Sequence, residues 1–395
     1  MLRKYQYIKF GEHGRYFCLQ QNPFMLFWVL FFKKNSIRPT NRIGLKKCSA
    51  PWIKRKMREY ISYFHGNAFT LISFVKYKFG IQKNGSLVEL PFYGQTCLLV
   101  NKGYKIFNLR RGATIKVYRN DVDMSAIADE IECLQKGSVF DFVPSIKRIN
   151  LKERWYEEEY ISGLKEQSIN LQDSKTVLKK FYKDIVPCIE RLMLNQPPIT
   201  KNTIDYVHEI KDTLVADNLL REELGVKNID KILSFIHLMA ERVHSEDNLP
   251  IFLVLTHGDF CPANMLNTRH GLKVIDWESA TFRSALFDFY SYFFFRTLHQ
   301  KLPVDKLSQE IETALPYLIA RLDPIAFAIS MNLKSFENIY RWFFYVERIF
   351  MLVVREKYDT KHNIMYTILS YIKVFNSYEE ISSENTEKIY NEQVI

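Results

Sequence analysis

The sequence predicts an α+β chain in two lobes: a small antiparallel β-rich one, then a larger, mainly helical one. Three observations predict it. Between 97 and 118, three β-rich runs are separated only by turn signals. After Gly163, apolar residues recur at helical spacing. One polar loop, THGDFCPANML (256–266), breaks the helical part beside a buried apolar run.

The first 88 residues read as a basic N-terminal extension without a single pattern. The chain carries +11 overall. Residues 1–90 hold seventeen Lys/Arg against Glu12, Glu59 and Glu89, which is +14, so 11 − 14 leaves −3 for the rest. Such a concentration points to an anionic partner, with an anionic membrane surface first; a solvated basic face is the plain alternative. Nucleic acid is disfavoured, because no recognised nucleic-acid module accompanies the charge. PFMLFWVLFF (23–32) spans about 15 Å as a helix, half of the roughly 30 Å hydrocarbon core, so it is read as non-spanning. It lies too far from the terminus for a signal peptide. It is read as a buried helix or strand, with a surface-lying contact through Lys33 and Lys34 as the alternative. A helix is expected within 46–64, beginning near Pro51. With 47% hydrophobic residues the chain can bury a sizeable core. Its six cysteines form no CxxC pair, which argues against structural zinc and a disulfide framework and favours a reducing compartment. The expected location is cytoplasmic, with peripheral contact at the inner membrane face.

The β-rich lobe and its connector are expected over 89–163. CLLVN (97–101), YKIFNL (104–109) and ATIKVY (113–118) are strands joined at NKG and RRG. A helix follows over 123–137, with Ile127, Ile131 and Leu134 at helical spacing and Gly137 as its stop. VPSIKRINLKE and RWYEEEYISG read as two more strands. The helical lobe is expected over 164–395. It includes a helix marked by Val177, Phe181, Ile185 and Ile189 and bent or broken by Pro187. Stripes follow at Val207–Leu214 and Ile232–Val243. Trp342, Tyr345, Ile349 and Leu352 form an aromatic stripe read as core. The acidic tail from 378 is expected to fray.

The polar loop carries the chemistry. Phosphoryl transfer needs a carboxylate to orient the acceptor hydroxyl, oxygen ligands for Mg²⁺ and a Lys on the phosphates. Asp259 follows a buried strand. Asn264 offers an amide oxygen and Asp276 a carboxylate, and NMLNTRHGLKVID reads as a hairpin that returns both to one end. Lys116, alone in an apolar strand, needs a partner. Glu130 on the next helix is the candidate and Glu132 the runner-up. The turn 101–104, with Gly103, offers backbone N–H groups for phosphate. His257 reads as a brace of the loop by hydrogen bonds.

HGDFCPANML followed by IDWE resembles the aminoglycoside phosphotransferase and choline kinase group, whose fold is protein-kinase-like and bilobal. The resemblance covers about 89–300. It implies ATP and Mg²⁺, with Asp259 as the catalytic acid–base, Asn264 and Asp276 as metal ligands, and Lys116 with Glu130 as the nucleotide-side ion pair. It also implies that Glu159, Tyr160 and Ile161 form the adenine-holding connector and that Asp288 fixes the catalytic loop. The 101–104 turn has only one Gly, which weakens its likeness to a Gly-rich loop, and no P-loop motif occurs. Phe260 and Cys261 fall where the pattern varies and are candidates to shape the acceptor site. The expected activity is phosphate transfer to a hydroxyl of a small molecule or a sugar, with a lipid-linked glycan or lipopolysaccharide included. A choline- or ethanolamine-type kinase and a non-catalytic kinase-like binding protein stay open.

Overall fold

The computed structural model describes residues 4–10, 15–32, 65, 67–81, 85–100, 102–165, 173–194, 198–216, 226–245, 250–322, 337–356 and 364–393. The helix expected within 46–64 and Asn101 of the expected turn lie outside the described residues. The chain divides into two compact units, Met1–Lys165 with Leu266–Lys273, and Glu166–Met265 with Val274–Ile395. The α+β class is as expected: an antiparallel sheet builds the first unit and helices dominate the second.

The first unit holds one eight-stranded sheet. Its strands are β1 (Tyr5–Lys9), β2 (Arg15–Cys18), β3 (Ser86–Leu90), β4 (Thr96–Val100), β5 (Gly103–Asn108), β6 (Ala113–Tyr118), β7 (Ile146–Asn150) and β8 (Trp155–Glu159). They are arranged β3-β1-β2-β4-β5-β6-β8-β7. The sequence shows the last five of these and misses β1, β2 and β3. It also places a boundary at 88/89 that the structure does not keep. β1 and β2 lie between β3 and β4, and their backbone groups are met by antiparallel partners on both sides. The described parts of 1–88 are therefore strands and helices of the sheet unit, not an appendage. At the other end, the short strand β9 (Leu164–Lys165) closes this unit, two residues beyond the expected division.

Period-two alternation gives the sheet two different faces. Tyr7, Cys18, Cys97, Ile106, Ile115, Val117 and Trp155 pack on one. Ile8 and Phe17 point to the other, where they meet helix α1 (Pro23–Phe32) and helix α2 (67–78) through Leu26, Leu30 and Phe74. Helix α3 (Met124–Gly137) is capped by Asp123, whose side chain accepts from the Ser125 N–H. It buries Ile127, Glu130, Ile131 and Leu134.

The second unit has a small sheet ordered β10-β11-β14, from Ile199–Asn202, Pro250–Thr256 and Thr281–Ser284. Its helices are α4 (Ser174–Lys180), α5 (Val186–Leu194), α6 (Thr203–Ala216), α7 (Val226–Ser245), α8 (Phe287–Gln300), α9 (Val304–Leu322), α10 (Glu337–Glu356) and α11 (Ile364–Gln393). Between α4 and α5 the expected break at Pro187 takes the form of a π-helical turn over Phe181–Ile185. There the Val186 N–H reaches the Phe181 carbonyl. Pro187 has no N–H to continue the regular ladder, so the turn widens just before it. No helix among the described residues is long and apolar enough to cross a membrane.

The stripe Trp342, Tyr345, Ile349 and Leu352 is buried, as expected of core. The start of the tail behaves otherwise than expected. Tyr378 is buried, and the Glu379 carboxylate accepts from Arg242 Nη1 (2.7 Å), Arg341 Nε (2.7 Å), Trp342 Nε1 (3.1 Å) and the Tyr345 hydroxyl (2.9 Å). An acidic residue that reads as solvated ties α11 to α7 and α10. Burial alone pushes the Glu379 carboxyl up, but Arg341 and the other donors outweigh it and hold it below the ordinary 4.5. A group depressed on folding stabilises the fold fully above its unfolded value, and that contribution fades as pH falls through the lower folded value. Glu379→Gln is expected to cost about 2 kcal/mol at neutral pH. Urea melts should show the gap between variant and parent closing as pH drops below the ordinary value.

Candidate active site

Strand β11 delivers the loop. Six of its seven residues are buried, and it ends at Thr256. Directly after it, the His257 and Gly258 N–H groups donate to the two oxygens of Asp288, at 2.7 and 3.1 Å. Asp288 sits in the first turn of α8, where a negative charge suits the helix dipole. Burial pushes its carboxyl up, against the pull of the two N–H donors. Gly258 has φ +81°, and a Cβ there would lie 2.3 Å from the Ser279 carbonyl oxygen. Only glycine fits this turn.

The His257 imidazole bridges two segments. Its Nδ1 accepts the Asp259 N–H (3.2 Å), and its Nε2 lies 3.0 Å from the Ile275 carbonyl. A carbonyl only accepts, so the proton sits on Nε2 and the ring is the neutral tautomer. Both nitrogens are occupied, which leaves the ring a bracing role.

Asn264 ends a 3₁₀ turn over Pro262–Asn264, and the hairpin expected between it and Asp276 is present as β12 (Met265–Thr268) and β13 (Gly271–Val274). The Ile275 N–H donates to the Asn264 carbonyl at 2.9 Å, so the hairpin returns to its own start. Asp276 is left-handed, at φ 73° and ψ 58°. That conformation costs a non-glycine residue on the order of 1 kcal/mol or more and is found mainly where function holds it. Asn264 Nδ2 donates to both the carbonyl and Oδ2 of Asp259, each at 3.0 Å. The amide nitrogen is thus turned to Asp259, and its oxygen is turned away as a cation ligand requires.

One residue of this cluster escaped the sequence reading. Arg348, in α10, donates from Nη1 to the Gly258 carbonyl (3.0 Å) and from Nη2 to Asp259 Oδ1 (3.4 Å) and the Tyr371 hydroxyl (2.8 Å). It is buried. Burial pulls its guanidinium down, but Tyr371 and Asp259 outweigh this and keep it charged. The signal was present in the charged pair within RWFFYVERIFMLVV. Its neighbour Glu347 is equally buried and accepts from the Tyr206 hydroxyl and the Ser284 N–H at 2.7 and 2.8 Å. Arg348→Lys keeps the charge but loses the fork. It is expected to lower kcat about tenfold with little change in melting temperature. Steady-state kinetics beside a thermal melt check this.

Phe260 and Cys261 do not take the place expected of them. Phe260 is wholly buried at the edge of the His257 ring, and Cys261 packs with Ala263 and Phe295. Burial, with Asp259 nearby, pushes the Cys261 thiol up, so it is inert packing and not a wall of an acceptor site.

In the first unit, every residue of β6 is buried and Lys116 is wholly so. Its Nζ lies 2.5 Å from Glu130 Oε1, and 5.0 Å from the centroid of the Tyr118 ring. Glu132 instead pairs with Lys136 on the exposed side of α3. A second lysine joins Glu130: Lys102 Nζ lies 3.0 Å from Oε2. Burial pushes Glu130 up, yet the two lysines hold it below its ordinary value. Gly103 has a packing reason of its own, since a Cβ there would fall 2.0 Å from the Val117 carbonyl. In the connector, the Glu159 N–H donates to the Ser145 carbonyl (2.9 Å) and the Tyr160 N–H to the Gly112 carbonyl (3.0 Å). Two of the three backbone donors expected to face a purine are thus spent inside the fold. Ile161 is buried.

Residues 205–318 match the model of the phosphotransferase enzyme family. This is the family the loop resembles. The matched segment holds His257, Asp259, Asn264, Asp276 and Asp288; Lys116, Glu130 and the connector lie before it. Among solved structures, the chain is similar to the choline kinase LicA from Streptococcus pneumoniae, at 13% identity and a TM-score of 0.46 over 71% of this chain and 91% of that one. It is also similar to a choline kinase from Cryptosporidium parvum, at 14% identity and 0.47, over 75% and 89%. A third likeness is an aminoglycoside phosphotransferase from Streptomyces rimosus in complex with ADP and streptomycin, at 12% and 0.39, over 62% and 89%. Each is a distant likeness. No curated protein sequence matches the chain.

Proposed function

We propose that the chain transfers the γ-phosphate of ATP, with Mg²⁺, to a hydroxyl of a sugar or another small molecule. The observation that carries this reading is the Asp259 carboxylate, fixed on one oxygen by Asn264 Nδ2 and approached on the other by Arg348. A carboxylate so held can align an acceptor hydroxyl and take its proton as that oxygen bonds to phosphorus. Asn264 and Asp276 would hold the magnesium. Two protein oxygens suit an ion that keeps several of its waters, and when bound it would neutralise phosphate charge. Lys116, steadied by Glu130, is the residue assigned to the phosphate oxygens, and the connector at Ile161 is assigned to the base.

Arg348 also bears on the acceptor. A guanidinium against the catalytic carboxylate cancels the negative charge that would draw a choline-like cation, and so supports a neutral or anionic hydroxyl compound. The basic residues 1–90 support a lipid-linked or phosphorylated glycan within that class. The test is an ATP-consumption screen over sugars, amino alcohols and lipid-linked glycans, with Asp259→Asn as blank. Turnover of amino alcohols alone would overturn the acceptor class. A thermal shift with Mg-ATP but no turnover on any acceptor would favour a binding protein.

A further inference from the structure

Helices α1 and α2 turn the wrong residues outward. α1 buries Leu26, Val29 and Leu30 yet exposes Phe24 (83%), Phe27 and Trp28, which lie at i, i+3 and i+4 on one stripe. In α2 the polarity is reversed. Asn67, Thr70 and Ser73 face inward beside Phe74, with Asn67 Nδ2 donating to the Leu30 carbonyl at 3.0 Å. Phe69 and Ile72 face solvent at 58% and 53%, and Phe79 and Ile81 follow, still exposed. A helix on a water-soluble surface carries the opposite pattern. The other exposed large apolar residues of the two units, such as Val139, Ile199 and Leu238, are scattered singly. These cluster on two helices that touch each other.

We infer that the outward faces of α1 and α2 form a docking surface for an anionic membrane, lying in the interface without crossing it. The charge argues for this occupant. Residues 1–90 carry seventeen basic against three acidic side chains, Lys33 and Lys34 follow α1 directly in the sequence, and Lys76 stands one turn beyond Ile72 on the same exposed stripe. Large apolar side chains flanked by lysines are what an interfacial helix presents to acyl chains and anionic headgroups. α1, at ten residues, is too short to span.

The test is co-sedimentation of the full chain with phosphatidylcholine vesicles, with and without phosphatidylglycerol. The comparison is a variant carrying Phe24→Ser, Phe69→Ser and Ile72→Ser, all exposed positions. The parent is expected to pellet with the anionic vesicles and to be weakened by salt, and the variant to partition at least about tenfold less with an unchanged melting temperature. Bromolipid quenching of Trp28 in the parent, lost in Trp28→Phe, gives a second readout that does not depend on the triple variant folding. No pelleting, equal pelleting with neutral vesicles, or equal binding by the variant overturns the inference. So does light scattering that shows a dimer for the parent and a monomer for the variant, which would make the face a self-contact. Nucleotide and acceptor are absent from the assay, so its failure leaves the phosphotransferase reading standing.

Discussion

Asp259→Asn is expected to reduce kcat about a thousandfold while leaving ATP affinity near that of the parent. The amide keeps the shape of the carboxylate, and Asn264, the His257 ring and the Asp288 bonds to the loop do not depend on its charge. What is lost is the proton acceptor. Arg348 keeps the Gly258 carbonyl and Tyr371 as partners, so the fold should survive. Initial rates and Mg-ATP thermal shifts on the same preparation separate chemistry from binding. Near-parental turnover would remove Asp259 from the reaction and the reading with it.

Gly258→Ala is expected to be the most damaging small substitution, at roughly 4 kcal/mol of unfolding free energy. Two penalties add. The backbone at φ +81° disfavours any Cβ, and the new atom would stand 2.3 Å from the Ser279 carbonyl oxygen and 2.6 Å from Arg283 Nη1. Neither neighbour yields easily, because Ser279 ends a short 3₁₀ turn and buried Arg283 is bonded to Thr256 Oγ1 at 3.0 Å. Chemical denaturation measures the loss. A cost under about 1 kcal/mol would show that the loop relaxes and that its strained geometry is not enforced.

The parts of this molecule that were legible in the sequence are the local ones. The strands around Lys116, the helix carrying Glu130, the hairpin between Asn264 and Asp276 and the Asp259 loop all announce themselves within a dozen residues of periodicity or turn chemistry. What was hidden depends on distant pairing. β1 finds β3 some eighty positions away, and both are five-residue strands of mixed polarity. Lys102 is 28 positions from Glu130, and Arg348 is 89 from Asp259. In sequence each is merely a charge. Phe260 and Cys261 were misjudged for a related reason: a polar loop suggests a solvent-facing wall, yet these two residues plug its underside. The connector shows a further limit, since no pattern reveals that the Glu159 and Tyr160 donors are already engaged.

The knot of donors around Glu379 also decides where the chain can be cut. A stop codon before Tyr378 would strand the guanidiniums of Arg242 and Arg341 and the indole N–H of Trp342 around an empty place, at the junction of three helices. Shortened versions of the protein should therefore keep Tyr378 and Glu379. A tag or fusion belongs well beyond Glu379, so that it leaves the carboxylate and its partners undisturbed.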